Sequence, residues 1–139
     1  MLSTFLSQVN WLAVVAATLA YFLVGALWYS PLMFAKAWVA MVPHPPTDAD
    51  KKRMPLLFGI TLVSNFASVF ATAFLAWALA IGAVGAALKL GAFVSVCYCI
   101  AELSITMGYE KRPLKLWAIY AGYHLVGLCA AAIIIALWR

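Results

Sequence analysis

The sequence predicts an all-α integral membrane protein, a bundle of four spanning helices with a short interfacial helix after the first span. Of the 139 residues, 68% are hydrophobic and 9% are charged, whereas a soluble domain carries roughly 25% charged residues. The mean hydropathy is +1.04. Four apolar runs are long enough to cross a hydrocarbon core, which takes about 20 helical residues. A chain this short cannot bury so much apolar surface in its own interior, so its solvent is expected to be the lipid bilayer.

The four predicted spans form a single membrane domain. They cover residues 11–28, 55–81, 88–109 and 114–138. Pro31 disfavours helical backbone in the residue before it and is therefore expected to end the first span. Residues 31–42 are predicted to form a short helix at the membrane interface. In that helix Lys36 would reach water, and the residues expected to face lipid are Leu32, Met33, Trp38 and Val39.

The basic residues predict the orientation of the chain. Seven of the nine Lys and Arg residues lie in the connections between spans one and two and between spans three and four: Lys36, Lys51, Lys52, Arg53, Lys111, Arg112 and Lys115. Lys89 and Arg139 lie on the other side. Short loops rich in Lys and Arg favour the cytoplasm. Both termini are therefore expected outside a bacterial inner membrane, with the basic loops in the cytoplasm.

Nucleic-acid binding is not expected, although the net charge is +5. A nucleic-acid site requires a basic patch or stripe on one face of a domain. Here the basic residues occupy the connections between apolar runs, where they meet lipid head groups. The first apolar run also lacks the basic start of a signal peptide, because the first Lys or Arg is Lys36, so it is expected to remain as a span.

Each span carries one stripe of small and polar residues at helical spacing. The stripes are Thr18, Tyr21, Gly25 and Trp28 on the first span; Thr61, Asn65, Ser68 and Thr72 on the second; Gly91, Ser95, Cys99, Glu102 and Thr106 on the third; and Tyr120, His124, Gly127 and Ala131 on the fourth. Residues three or four positions apart share one helical face, so the stripes are expected to face inward. Purely structural membrane bundles also contain such stripes, because their helices pack through small and hydrogen-bonding residues.

Four polar residues, one from each span, are predicted to lie at one level near the middle of the membrane: Thr18, Asn65, Glu102 and His124. At about 1.5 Å per residue, each lies about 12 to 15 Å from the end of its span nearest the basic loops. A lone carboxylate is costly at that depth. Because spans three and four share a short loop, Glu102 and His124 are expected to be neighbours that share a proton or form an ion pair.

This layer has two interpretations. In the first interpretation, the layer is a substrate or proton site, and hydroxyl groups such as that of Tyr120 extend the hydrogen bonds from His124. The alternative is a structural His–Glu hydrogen bond that only locks two helices together.

Other chemistry has little support in the sequence. The three cysteines Cys97, Cys99 and Cys129 lie inside apolar runs without metal-ligand spacing, and the first two point to different faces of a helix. No metal or cofactor is therefore expected. A hydrolytic site needs a nucleophile beside its base, and the sequence offers no such set, so the chain is not expected to be an enzyme.

Four short motifs resemble a bacterial membrane-protein family known as domain of unknown function 1761. They are Asn-Trp-Leu-Ala at 10–13, Leu-Trp-Tyr-Ser-Pro at 27–31, Lys-Ala-Trp at 36–38 and Ala-Gly-Tyr-His at 121–124. The interfacial part of this pattern comprises Trp28, Tyr29, Ser30, Pro31, Lys36 and Trp38. The family pattern has glycine where this chain has Ala35 and Glu-Gly-Arg where it has residues 110–112, and it does not include Glu102. The resemblance implies four spans, bacterial origin and no established activity.

The leading interpretation is a small transporter or channel whose mid-membrane site is built on His124, Glu102 and Asn65. Four helices enclose little space, so a homo-oligomer or membership of a larger membrane complex is expected. The alternative is an accessory subunit whose stripes only pack, and whose interfacial Trp28, Tyr29 and Trp38 and lipid-facing aliphatic residues bind a larger assembly. The sequence does not identify a substrate.

Overall fold

The chain forms four long apolar helices and two short ones, with no strand between Met1 and Trp138, the residues that the structure describes. In this computed structural model the spans are Trp11–Trp28, Met54–Ala78, Val84–Tyr109 and Leu114–Leu137. The short helices are Leu2–Gln8, called the N-terminal helix below, and Ala35–Val39. The predicted all-α bundle of four apolar spans is confirmed. Arg139, one of the two basic residues assigned to the side of the termini, lies outside the described residues.

Local sequence accounts for the ends of the spans. The Asn10 side chain caps span one by accepting hydrogen bonds from the backbone N–H groups of Leu12 and Ala13, at 3.1 and 3.2 Å. Span one ends at Trp28, three residues before Pro31. A 3₁₀ turn, Asp48–Arg53, leads directly into span two. Span two ends at Ala78, three residues earlier than expected. The short helix Ala35–Val39 covers only the middle of the predicted segment 31–42.

Span four lies at the centre of the bundle and contacts the other three spans. The basic connections lie at one end of the bundle, called the basic end below. Met1 and Trp138 lie at the other, called the terminal end. Between Lys51 and Ser64, span two and its leading turn are exposed on every side, whereas the half of span two nearer the terminal end is packed. The bundle is therefore packed more closely toward the terminal end.

The N-terminal helix, Leu2–Gln8, was not expected from the sequence. Its Phe5 is fully buried, and its ring packs against Phe70, Phe74 and Trp77 of span two with centroid distances of 5.4, 5.3 and 5.7 Å. Seven residues are too few for a clear helical periodicity. The contacts of one aromatic ring hold this helix against the terminal end of the bundle.

Span three is interrupted by a wide π-turn, Ser95–Ile100. The N–H of Ala101 donates to the carbonyl of Val96, five residues earlier. An extra residue in one turn rotates everything after it by about 100° relative to a regular helix. Beyond the π-turn the buried position is Met107, while Glu102 and Thr106 are exposed. The prediction that the polar stripe of span three faces inward is therefore wrong for the residues beyond Cys99, namely Glu102 and Thr106.

Glycine allows spans three and four to approach each other closely. A Cβ atom on Gly91 would lie 2.8 Å from both the Cα of Cys129 and the carbonyl oxygen of Leu128. These are backbone atoms, so neither can move aside without moving the helix. The same face bears Leu90 and Val94, which are buried.

We expect Gly91→Ala to lower the free energy of unfolding by about 1 to 3 kcal/mol, because the added methyl group overpacks the contact between two backbones. Thermal or denaturant unfolding in detergent measures this. The matched control is Gly85→Ala in the same helix, where a Cβ atom meets nothing within 4 Å. This control should gain up to about 1 kcal/mol from the better helix propensity of alanine. Equal stability of the two variants would contradict the close approach.

Candidate functional site

His124 is half-buried and is bonded to a phenol from another span. Its Nδ1 lies 2.6 Å from the hydroxyl of Tyr21, a residue of span one that is 1% exposed. The phenol can donate to Nδ1 when Nε2 carries the proton, or accept from Nδ1–H in the other tautomer. In either case the second ring nitrogen remains available for another partner.

A second polar contact lies beside this one and reaches span two. The hydroxyl of Tyr123 is 3.2 Å from both Oδ1 and Nδ2 of Asn65, and both side chains are buried. The rings of Tyr21 and Tyr123 lie 5.2 Å apart. Asn65 and His124, both predicted site residues, are therefore brought together through adjacent tyrosines. The site, called the polar cluster below, consists of Tyr21, Asn65, Tyr123 and His124.

Thr18 and Tyr120, the other two predicted site residues on these spans, have different roles. Thr18 is buried one turn from Tyr21, and its hydroxyl donates to the carbonyl of Val14 at 2.8 Å, within its own helix. The hydroxyl of Tyr120 accepts a hydrogen bond of 2.9 Å from Nε1 of Trp38. Tyr120 thus ties the segment after span one to span four at the basic end and does not contact His124 through a hydrogen bond.

The interfacial motif and the Gly-Tyr-His motif lie against each other. Tyr29 packs between Trp38 and Tyr123, with ring centroids at 5.8 and 5.7 Å. Nε1 of Trp28 donates to the carbonyl of Ile119 at 2.9 Å. The expectation that Trp38 faces lipid is wrong, because its indole is used in these contacts. Leu32, at 86% exposed, and Met33, Val39 and Lys36 remain on the outside.

Three glycines let the aromatic rings of this interface fit between spans one and four. A Cβ atom on Gly25 would lie 3.0 Å from the ring of Tyr123, and one on Gly122 would lie 2.7 Å from the ring of Trp28. A Cβ atom on Gly127 would overlap the ring of Tyr21. The glycine positions thus decide where the two tyrosines of the polar cluster sit.

Glu102 does not belong to the polar cluster, contrary to the prediction. Its side chain is exposed and makes no hydrogen bond or ion pair within residues 1–138. Nε1 of Trp117 donates to the hydroxyl of Ser104 at 2.9 Å, which fixes the register of spans three and four. Glu102 therefore lies opposite about residue 119, roughly 7 to 8 Å nearer the basic end than His124 by helical rise. The π-turn has rotated Glu102 away from span four, and the offset between the two spans has removed the expected common level.

The described chain offers little else for metal or redox chemistry. Between Met1 and Trp138, no group of three or more His, Cys, Asp or Glu side chains converges. The three cysteines are free. Cys99 packs against the aromatic residues of the core, whereas Cys97 is exposed.

A cavity of about 380 Å³ opens at the terminal end. Gln8, Asn10, Trp77 and Trp138 line it, with Val14 and Ala73 deeper inside. Nε1 of Trp77 donates to Oε1 of Gln8 at 3.0 Å, and Nδ2 of Asn10 donates to the carbonyl of Trp138 at 3.3 Å. This cavity could not be predicted from the sequence, because the N-terminal helix forms one of its walls.

A closed apolar layer separates the cavity from the polar cluster. It consists of four fully buried residues, one turn or more inside the cavity lining: Ala17, Val69, Leu128 and Ala131. These residues belong to spans one, two and four, the same spans that supply the polar cluster. The cavity and the cluster are therefore aligned along the bundle but are not connected.

These observations define a class of protein: a four-helix membrane bundle with a His–Tyr–Asn cluster in its interior and a cavity at one end. The family model described as "Protein of unknown function (DUF1761)" matches residues 12–136, and the chain belongs to this family. The family resemblance carried by the four sequence motifs is thereby confirmed. No curated protein and no solved structure matches the chain.

We expect Tyr21→Phe to destabilise the protein by about 1 to 3 kcal/mol, because it leaves Nδ1 of the half-buried His124 without its partner while the ring packing is kept. Thermal unfolding in detergent measures this. The control is Tyr109→Phe at the end of span three, whose side chain is 88% exposed and whose hydroxyl makes no hydrogen bond with a described residue. The control should stay within about 0.5 kcal/mol of the parent. An equal loss in both variants would show that the Tyr21–His124 contact adds nothing specific.

Proposed function

We propose that the chain is a small membrane transporter, and not an enzyme, that moves protons or a small polar solute through the polar cluster at His124. The observation that carries the proposal is the 2.6 Å contact between Tyr21 and His124 in the interior of a bundle of apolar spans. Ionisable groups are rare within membrane spans and often mark ion or substrate pathways. The Asn65–Tyr123 pair adds hydrogen-bonding groups from a third span at the same place.

Transport by alternating access is favoured over an open channel. The cavity at the terminal end stops at the layer of Ala17, Val69, Leu128 and Ala131. On the other side of the cluster, Tyr29, Trp38 and Tyr120 pack together toward the basic end. Apolar residues on one side of the cluster and packed aromatic rings on the other favour a site that opens to one side at a time.

The π-turn of span three interrupts the regular helical backbone of that span. Turns of this kind interrupt the hydrogen-bond ladder and occur frequently at functional sites. Residues 95–100 contact span four, which carries His124. We propose that span three bends here when the site opens.

We also propose the orientation predicted from the charges, in a bacterial inner membrane with both termini outside. The four antiparallel spans place Lys51, Lys52 and Arg53 at the same end as Lys111 and Lys115. Such a concentration of positive charge in short loops favours the cytoplasm. The cavity would then open to the outside.

In proteoliposomes loaded with a pH-sensitive dye, we expect the parent protein to conduct protons or to couple them to solute uptake, and we expect His124→Gln to lose this activity. His44→Gln is the matched control, since His44 lies in the exposed connection after Ala35–Val39, and it should retain the parent flux. Glu102→Gln should also retain it, because Glu102 is exposed and lies away from the cluster.

The pattern of losses decides between the interpretations. Absence of flux in the parent across a panel of small solutes would contradict transport. Loss of flux in Glu102→Gln together with His124→Gln would instead restore the predicted Glu–His pair as the working unit.

We propose further that the chain associates with a second copy of itself through the exposed face of span three. Glu102 lies on this face, with Tyr98 one turn before it and Thr106 one turn after it, and all three are exposed. A carboxylate facing lipid is costly. A two-fold axis along the membrane normal would place Glu102 at the level of its own copy, with the hydroxyl donors of Tyr98 and Thr106 on either side.

Native mass spectrometry after gentle detergent extraction should show a homo-oligomer, and Glu102→Leu should shift it toward the monomer because the hydrogen bonds across the interface are lost. Val63→Leu, at an exposed position of span two, is the control and should leave the oligomer unchanged. A parent protein that is monomeric would contradict the proposal. Stoichiometric association with a different, larger protein would favour the alternative function, an accessory subunit of a membrane complex.

A further inference from the structure

The cavity at the terminal end has an apolar interior and a polar rim. The N-terminal helix and spans one, two and four all contribute to its lining. Its inner wall bears three alanines on two neighbouring spans, Ala13, Ala73 and Ala76, whose small side chains leave the space open. No lining residue between Met1 and Trp138 is charged. The volume of about 380 Å³ falls in the range of about 300 to 1,000 Å³ that is typical of ligand pockets.

At the rim, Gln8 has hydrogen-bond donors that the protein does not use. Its Oε1 accepts from Nε1 of Trp77 at 3.0 Å. An indole N–H can only donate, so this contact fixes which end of the Gln8 amide faces Trp77. The Nε2 group carries two N–H donors and makes no hydrogen bond with residues 1–138. Gln8 can therefore offer these donors to a ligand.

Asn10 is fixed in the same sense. Its Oδ1 accepts from the backbone N–H groups of Leu12 and Ala13, and its Nδ2 donates one hydrogen to the carbonyl of Trp138 at 3.3 Å. A backbone N–H only donates and a carbonyl only accepts, so this amide cannot be reversed either. One N–H of Nδ2 remains. The two amides at the rim thus favour a ligand group that accepts hydrogen bonds.

The chemistry of the cavity narrows the choice of acceptor. A carboxylate would need a cation, and none is found among the described lining residues. A hydroxyl group brings a donor of its own, whereas the oxygens of Gln8 and Asn10 are already engaged. A carbonyl oxygen accepts two hydrogen bonds and donates none. It therefore matches both the unused N–H groups and the uncharged interior.

We propose that this cavity binds an uncharged, lipid-soluble carbonyl compound. Its carbonyl oxygen accepts from Nε2 of Gln8 and Nδ2 of Asn10, and its apolar part lies against Ala13, Ala73 and Ala76. The ester of a bilayer lipid and a free ketone or ester share this chemistry. The site does not rest on the proposed transport, because the closed apolar layer separates the cavity from the polar cluster.

Photo-crosslinking with benzophenone, an uncharged diaryl ketone, tests the site in the full chain in lipid nanodiscs. Under long-wavelength ultraviolet light the ketone oxygen takes a hydrogen atom from a nearby C–H group, and the two carbon atoms then join. Mass spectrometry of the digested protein should locate the adducts in residues 5–14, 73–81 and 135–138, which contain the cavity lining.

A matched pair of competitors tests the role of the carbonyl group. Phenyl benzoate and benzyl phenyl ether differ only in that the ester carbonyl of the first is a methylene group in the second. Phenyl benzoate should suppress the labelling at a concentration about 2- to 10-fold lower, which corresponds to one net hydrogen bond. The 4-phenoxybenzoate anion should compete least. Equal competition by the ester and the ether, or the strongest competition by the anion, would overturn the proposal.

The sharpest variant is Gln8→Glu, because the carboxylate still accepts from Trp77 but replaces the unused N–H donors by an acceptor. It should weaken the binding of phenyl benzoate about 10-fold or more. Gln8 is exposed, so the fold should be kept. Ser7→Ala is the control and should bind as the parent does, since the Ser7 hydroxyl donates to the carbonyl of Thr4 within the same helix. Unchanged binding in Gln8→Glu would contradict the proposed contact.

Two further samples test the apolar part of the site and identify the source of the ligand. Ala73→Leu fills the inner wall and should abolish labelling of the folded protein, as checked by thermal unfolding; labelling that persists would contradict the site. Nanodiscs of ether-linked lipids contain no ester carbonyl. Tighter binding of phenyl benzoate there than in ester-linked lipids identifies the bilayer lipid as the usual occupant, and equal binding identifies a free compound. Either result supports a carbonyl ligand.

The outcome is independent of the proposed transport. Labelling and competition are measured without flux, and His124→Gln should keep both at the parent level because His124 does not line the cavity. Failure of transport would therefore leave these results unchanged. Adducts found only outside the cavity lining would overturn the site and leave the proposed transport intact.

Discussion

The packing of aromatic rings onto glycines between spans one and four is the constraint on which the rest of the structure depends. Tyr21 and Trp28 of span one lie against Gly127 and Gly122, and Tyr123 of span four lies against Gly25. Each of the two helices contributes both rings and glycines to this contact. Neither helix can therefore rotate or slide without an overlap between a ring and a backbone. Because the rings are fixed in this way, the Tyr21 hydroxyl reaches Nδ1 of His124 and the Trp28 indole reaches the carbonyl of Ile119.

This constraint divides the molecule into a rigid part and a more deformable one. Spans one and four are closed by glycine contacts and by the fully buried Ala17, Leu128 and Ala131. Span two is exposed on every side from Met54 to Ser64, and span three contains the π-turn. His124 lies at the boundary: its Nδ1 is bonded to the rigid side, and its span also contacts the π-turn of span three. Movement of span three would therefore change the surroundings of His124 without breaking its bond to Tyr21.

The sequence predicted the number of spans and the inward position of Thr18, Asn65 and His124, because hydropathy and helical periodicity are local properties. It could not predict the hydrogen-bond partners, since these depend on how each helix is rotated about its axis. Glu102 is the clearest case: six residues with no distinctive pattern, Ser95–Ile100, form the π-turn that moves it to the exposed face. The N-terminal helix and its cavity also depend on long-range contacts, those of Phe5 with span two.

The separation of Glu102 from His124 changes the chemistry that the polar cluster can support. Tyr21, Tyr123 and Asn65 are neutral hydrogen-bonding groups, so the described interior offers no counter-ion to a protonated imidazole. An unpaired charge in such surroundings is costly. The proposed transport cycle therefore requires that a proton reach His124 together with water or with an anionic solute. A second copy of the chain does not remove this requirement, because the proposed interface places Glu102 on the face of span three directed away from the cluster.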